Sequence, residues 1–451
     1  MKTDLIIIGA GPAGYRAAEY AAKNGLDVIV FEEQQIGGTC LNVGCIPTKT
    51  LVKNAEVFNL MNEAEKFGFS NLEFSFDYNR VLQRKEDVVS ALRNGVESIL
   101  NNPKITLVKA KAQLISSYSV LADNVVYEAD NIIIATGAEN KTLHLENMKR
   151  DDILDSTKLL SLESLPKSLC IIGAGVIGME FASIFNAFGV EVYVVEFLKE
   201  CLPALDSDIA KRLRKTLEKK GVKFYMQSTV KSIEPELVVF ENKKGKLENV
   251  SAEKVLVAVG RKPRTDGLAL NSINVKLERG TIPVDRTDFN VIDNRGNIIK
   301  SVFAVGDVNG LQMLAHAAEM QAIHVVNHII GKQDEINLQV MPAAIFTLPE
   351  AACVGMSEDQ CKDNNIDYYC KKAFWRANGK ALAMDETDGM LKLIINSQHQ
   401  IIGCHAFGAH AADLVQEISV LMCKHTTLQQ LEDMVHIHPS LSEIIRSAAE
   451  A

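Results

Sequence analysis

Cys40 and Cys45 are separated by four residues within GGTCLNVGCIPTK, residues 37–49. Two cysteines at this spacing in a glycine-rich loop can form a disulfide that opens and closes, with the thiolate as the reactive species. Pro47 suits the first turn of a helix, whose positive end would favour a thiolate on Cys45, and Lys49 follows as a charge partner. Two reduced core cysteines would show the same spacing, because unpaired cysteine is among the most buried residue types. The neighbouring motifs favour the redox disulfide. Near the other end, HIHPSLSE (436–443) places His438 just ahead of Pro439, read as the first turn of a helix, with Glu443 far enough along to hold the imidazole. A histidine oriented by a carboxylate is an acid–base pair. A lone histidine is more often structural, and His436 is read so.

The elements that must position these groups are two glycine turns. Gly9, Gly11 and Gly14 follow a run of β-formers, and Glu32 lies eighteen residues beyond the last glycine. The first glycine allows a tight turn, the second lets the backbone approach a pyrophosphate, and the third allows close helix–strand packing. The helix N-terminus then faces the phosphate charge, and the acid accepts hydrogen bonds from an adenosine ribose. Gly173, Gly175 and Gly178 with Glu196 repeat the pattern. Leu5–Gly14 and Leu169–Gly178 share seven identities in ten positions, and VIVFE (28–32) matches VYVVE (192–196) at the same offset. An internal repeat of strand, glycine turn, helix, strand and terminal acid is expected. Glu196 would bond a free 2′-hydroxyl and repel a 2′-phosphate. Only Lys199 is basic among the next four residues, so NAD is favoured over NADP.

The 451 residues fit two or three domains, with 47% hydrophobic and 23% charged residues, the composition of a globular chain. A net charge of −9 excludes an overall basic footprint for nucleic acid. Nine cysteines, an odd number spread thinly, do not make a secreted disulfide framework, so a reducing, cytoplasmic setting is expected. The other seven show no metal-ligand spacing and are expected to stay reduced; no metal is expected. Residues 5–14 imitate a signal-peptide core, and 168–190 are long enough to span a bilayer, but a buried strand entering a helix explains both glycine motifs better than export or a membrane does. Residues 138–166 read as a linker. KVLVAVGRKP (254–263) and SVFAVGDVNG (301–310) read as buried strands, the latter leading to a helical run from Met313 to Ile330. From about Met341 the alternation in MLKLII (390–395) and IIGCHAFG (401–408) suggests antiparallel strands, followed by helices near 410–424 and 439–449.

Together the cysteine loop and its flanking fingerprints resemble the pyridine nucleotide–disulfide oxidoreductase family, class I, over essentially the whole chain. The resemblance implies an α/β fold with two Rossmann-like domains, the second inserted in the first, and a C-terminal α+β dimerisation domain. The implied boundaries are 1–140 and 266–338 for FAD, 141–265 for NAD, and 339–451 for the homodimer interface. It implies FAD on Gly9, Gly11, Gly14, Glu32, Gly38, Thr39, Lys49, Thr136, Gly137, Gly306 and Asp307. The run Met313, Leu314, Ala315 and His316 would set a helix N-terminus beside the flavin, and Gly260 would join the NAD site. Lys49 and Glu180 are implied as an ion pair beside the flavin, although by itself Glu180 reads as a solvated helix carboxylate. His438 and Glu443 are implied to act across the dimer on the partner's Cys40–Cys45 disulfide.

The implied reaction oxidises dihydrolipoamide, carried on a lipoyl domain of a 2-oxoacid dehydrogenase or glycine-cleavage complex, with NAD⁺ as acceptor. The alternative is an NADH-dependent reductase of another small disulfide, such as coenzyme A disulfide. Intact Cys40, Cys45, His438 and Glu443 argue against a redox-dead flavin-binding scaffold. The chain departs from the lipoamide-oxidising pattern at Thr48, Ser440 and Ala322, which usually read serine, threonine and glycine. It ends in IIRSAAEA without the extra cysteine pair of mercuric and large thioredoxin reductases.

Overall fold

Leu5, Ile6, Ile7 and Ile8 are buried on both faces of the strand Lys2–Ile8, as a central parallel strand requires. The computed structural model describes residues 2–143, 145 and 153–451, so the expected linker at 138–166 lies partly outside the described residues. The chain forms two units. One comprises residues 1–50, 82–141 and 261–338; the other comprises 51–81, 142–260 and 339–451.

In the first unit, Lys2–Ile8 pairs in parallel with Val28–Phe31 on one side and Val125–Ile134 on the other. Ile105–Val108 and Ile298–Ala304 extend the sheet in parallel at its two flanks. The helix Pro12–Lys23 buries Ala13, Ala17, Ala18, Ala21 and Ala22. Their small side chains share a core with Ala318 and Ala322 of the helix Ala315–Ile329. Ala322 is fully buried there, where a methyl group fills space that glycine would leave empty.

In the second unit, Ser168–Ile172 sits inside a four-stranded parallel sheet with Glu191–Glu196, Lys223–Met226 and Lys254–Val257. Its sequel is a helix of only 12 residues, Val176–Ala187, so 168–190 is strand, turn and helix. Among the described residues no helix is long and apolar enough to cross a membrane. The C-terminal part is a five-stranded antiparallel sheet backed by the helices Ala411–Cys423 and Glu443–Glu450. Met390–Asn396 is antiparallel, as its pattern predicts, but six of its seven residues are buried, so both faces of this strand are covered.

Lys392 in that strand is about 1% exposed, and its ammonium lies 2.9 Å from both carboxylate oxygens of Asp206 and against Glu358. Asp206 also caps the helix Ser207–Lys219 and accepts the Glu358 N–H at 3.0 Å. Its own N–H donates to Nδ1 of His405 at 3.0 Å. Burial pushes the His405 imidazole down to about 4. Hydrogen bonds from Lys362 and Lys392 hold Glu358 at about 2. Each group takes up a proton in the unfolded chain at higher pH than in the folded one. Stability therefore falls as pH drops from about 6.5 to 4 through His405, and from about 4.5 to 2 through Glu358.

Lys392→Ala strands the Asp206 carboxylate and is expected to cost about 3–5 kcal/mol in urea unfolding at neutral pH. A cost under about 1 kcal/mol would show that this ion pair is not what the packing needs. The melting temperature of the wild type should also fall between pH 6.5 and 5, with a shallower slope in His405→Asn.

Candidate functional site

The first glycine turn is built by steric exclusion. Gly9 has φ of +104°, and a Cβ there would stand 2.5 Å from the Ala135 carbonyl oxygen. A Cβ on Gly14 would stand 1.8 Å from the Gly9 carbonyl oxygen, so helix and turn touch backbone to backbone. The strand Val28–Phe31 delivers Glu32 beside this turn. Its Oε2 accepts the Ala10 N–H and its Oε1 the Gln34 N–H, both at 2.8 Å. An open cleft lies between Gly9, Glu32, Glu33, Lys111, Thr136 and Arg264. A side-chain-free turn at a helix N-terminus, with a fixed carboxylate beside an open cleft, suits a pyrophosphate and an adenosine ribose.

The same unit carries the disulfide. Gly37 donates its N–H to the Ala10 carbonyl at 2.8 Å. Gly38 has φ of +59°, and a Cβ on it would come within 2.7 Å of Gly11 Cα. Cys40 lies in the short helix Gly38–Val43, where the sequence reading has only loop, and Cys45 begins the helix Cys45–Asn62. Gly44 joins them, because a side chain there would collide with the Thr39 carbonyl at 2.8 Å. Cys40 and Cys45 are disulfide-bonded with Cα atoms 4.7 Å apart, the sole disulfide among the described residues. A thiolate released at Cys45 would face the positive end of an 18-residue helix. Lys49 lies one turn further on.

Three further segments converge in this unit. Thr136 donates its hydroxyl to the Arg264 carbonyl at 2.6 Å, and Gly137 accepts the Arg264 N–H at 2.9 Å. Gly306 donates to the Gln321 side chain at 2.8 Å. Burial raises the Asp307 carboxyl above its usual range, opposed by Arg261, whose guanidinium lies 3.7 Å away. Met313 and Leu314 lead into the helix Ala315–Ile329, where His316 is exposed in the first turn. Arg261 and Gln321 escape the sequence reading. Arg261 stands in KVLVAVGRKP, a segment legible only as a buried strand.

The second unit holds the second turn. Gly173 has φ of +108° with the Ala258 carbonyl 2.5 Å from its would-be Cβ, and a Cβ on Gly178 would stand 2.0 Å from the Gly173 carbonyl. Gly175 caps the helix, and Gly260 has φ of +115°. Glu196 is 9% exposed and accepts the N–H groups of Ala174 and Leu198 at 2.5 and 2.7 Å. Glu180 is 4% exposed and accepts the Phe346 N–H at 2.9 Å, so it is no solvated carboxylate.

His438 and Glu443 meet in the second unit as well. Glu443 Oε1 lies 2.9 Å from Nδ1 of His438, and Oε2 accepts the Ser440 N–H at 2.9 Å. A carboxylate only accepts, so Nδ1 carries the proton and Nε2 presents its lone pair. The His438 side chain is 81% exposed. The Ser440 N–H and then His438 hold Glu443 below the usual carboxylate range. The helix begins at Glu443, not at Pro439 as the sequence suggests. The Ser440 amide is committed to the Glu443 side chain instead of entering a helix, and the His438–Pro439 peptide is cis.

Residues 3–322 match the family model described as pyridine nucleotide-disulphide oxidoreductase, and 341–449 match its dimerisation domain. The chain is similar to the dihydrolipoyl dehydrogenase of Chlamydia muridarum, 37% identical over 458 residues covering 99% of this chain and 96% of that protein. It is 35% identical to the dihydrolipoyl dehydrogenase of Geobacillus stearothermophilus over 460 residues, covering 100% and 96%. Among solved structures, the HOCl-induced flavoprotein disulfide reductase RclA from Escherichia coli, as its Cu(II) complex, is similar with a TM-score of 0.87. That match has 28% identity and covers 100% of this chain and 99% of that one. The family implies FAD and a nicotinamide dinucleotide, and the dimerisation-domain match supports a homodimer.

Gly178→Ala is expected to weaken nicotinamide dinucleotide binding by about 10- to 100-fold while flavin absorbance is retained. Gly14→Ala should purify with its flavin depleted. Equal flavin content in the two variants would contradict a separate role for each turn.

Proposed function

The chain belongs to the pyridine nucleotide-disulphide oxidoreductase family, and on that footing we propose that it oxidises dihydrolipoamide borne on a lipoyl domain, with NAD⁺ as the electron acceptor. The observation that carries the reading is the Cys40–Cys45 disulfide at the start of a long helix. The names of its relatives point to the same substrate.

Gly9, Gly11, Gly14 and Glu32 would hold the adenosine diphosphate of FAD, with Gly38, Thr39, Thr136, Gly137, Gly306 and Asp307 along the rest of that cofactor. Met313, Leu314, Ala315 and His316 would bring a helix N-terminus to its ring system. Gly173, Gly175, Gly178, Glu196 and Gly260 would hold NAD, since the Glu196 carboxylate suits a free 2′-hydroxyl and repels a 2′-phosphate. Lys49 and Glu180 would form the charge pair beside the flavin. Bound FAD supplies a two-electron acceptor that passes a hydride to the nicotinamide.

His438 Nε2 takes a proton from one substrate thiol, oriented by Glu443 through Nδ1. The resulting thiolate attacks Sγ of Cys40, forming a mixed disulfide as the Cys40–Cys45 bond breaks. The bonding pair leaves on Cys45, whose thiolate is stabilised by the helix N-terminus. The second substrate thiol then attacks the substrate sulfur of the mixed disulfide, closing the lipoyl ring and expelling Cys40. The substrate has lost two electrons to the cysteine pair, and its two protons rest on His438 and Cys40. By the family resemblance, His438 acts on the second copy's disulfide in the homodimer. A disulfide meant to open is compatible with a reducing cytoplasm, which is where this reading puts the protein.

A steady-state assay of the purified protein tests the reading, with NAD⁺ or NADP⁺ against dihydrolipoamide and with NADH against glutathione and coenzyme A disulfides. Dihydrolipoamide with NAD⁺ should give the highest kcat/KM, and Cys45→Ser should abolish that turnover with flavin still bound. Preference for NADP⁺, or turnover of coenzyme A disulfide alone, would sink the assignment.

A further inference from the structure

The loop between the helices Leu428–Glu432 and Glu443–Glu450 carries two histidines with opposite surroundings. His438 is engaged at one ring nitrogen and open at the other. His436 is engaged at both. Its Nε2 lies 3.1 Å from Glu417 Oε1, on the helix Ala411–Cys423, and its Nδ1 lies 3.2 Å from the Met434 carbonyl. Its side chain is 6% exposed, between Val435 at 96% and Ile437 at 80%. His436 is thus the buried side chain of an otherwise outward-facing stretch.

Both neighbours of that ring are acceptors: a peptide carbonyl cannot donate, and neither can an ionised carboxylate. A neutral imidazole has one N–H and satisfies one of them. Donation from Nε2 ties the ring to Glu417 on the helix Ala411–Cys423. The charged groups facing the ring are Glu417 from the helix Ala411–Cys423 and Glu443 from the helix after the loop.

We propose that His436 and Glu417 are positioning residues that pin the loop and so set the direction in which His438 presents Nε2 to the substrate dithiol. This rests on the reading of His438 as the base. Two residues downstream, Glu443 and the bond from the Asn378 side chain to the Ser440 carbonyl at 2.9 Å hold the other side of the histidine. His438 therefore sits between two anchored points. With the His436 anchor cut, the ring keeps its tautomer through Glu443 but loses its aim.

The test compares two half-reactions in the flavin-loaded dimer: dihydrolipoamide oxidation, which needs the base, and NADH bleaching of the flavin, which does not. His436→Gln and Glu417→Gln should each lower kcat for dithiol oxidation about 10- to 100-fold with little change in KM and unaltered bleaching. The double variant should be no slower than either single one, because both cut the same bond. Glu417→Asp, which keeps the carboxylate, should recover part of the rate. Rates within twofold of wild type, additive losses, or parallel loss of both half-reactions would overturn the proposal. His438→Gln is the control for the underlying reading. If it still oxidises the dithiol at the wild-type rate, the assignment of the base fails and the pin fails with it. If it is inactive while the His436 and Glu417 variants are unaffected, only the pin fails.

Discussion

Backbone contact between Gly11 and Gly38 is the constraint on which the redox site depends. No side chain fits on Gly38 against Gly11, and the Gly37 amide is bonded to Ala10, so the cysteine loop is seated directly on the first glycine turn. Cys40 follows Gly38 by two residues and Cys45 follows Gly44 by one, which leaves the disulfide little freedom relative to the N-terminus of the helix Pro12–Lys23. On the proposed function that closeness serves electron transfer, since electrons leaving the sulfurs would pass to a cofactor held by the same turn. A side chain on Gly38 would push the cysteine loop away from that turn.

The same steric solution appears twice. At Gly9 and Gly173 a carbonyl occupies the space a Cβ would need, and at Gly14 and Gly178 the turn's own backbone does. In both copies the terminal acid binds the amide of the residue between the first two glycines, Ala10 for Glu32 and Ala174 for Glu196. Each carboxylate is therefore fixed by the backbone, and its remaining acceptor capacity is pre-oriented. The repeat in sequence is a repeat of this hydrogen-bonded frame, with one copy in each unit.

The glycine turns, their acids and the cysteine pair were legible because local sterics dictate them. Close approach admits only glycine, and the spacing from turn to acid is set by one helix and one strand. Legibility ended where partners are distant in sequence. Lys392 looks like an ordinary outward residue of an alternating strand, yet Asp206, 186 residues away, pairs with it in the interior. Glu180 reads as solvated until the Phe346 amide covers it, and His436 reads as structural with no partner in view until Glu417 is found beside it. Pro439 misled in a different way. Its preference for a first helical turn gave way to the bond that the Ser440 amide donates to the Glu443 carboxylate, which postpones the helix.

On the proposed function, electrons pass through Cys40 and Cys45 and through no other thiols. Peptide mapping after alkylation distinguishes this route, comparing the oxidised protein with protein reduced anaerobically by one equivalent of NADH. Labelling should rise at Cys40 and Cys45 alone, more at Cys40, with exposed Cys423 labelled equally in both samples. Unchanged labelling at residues 40 and 45, with flavin bleached or new labelling at another cysteine, would contradict the account.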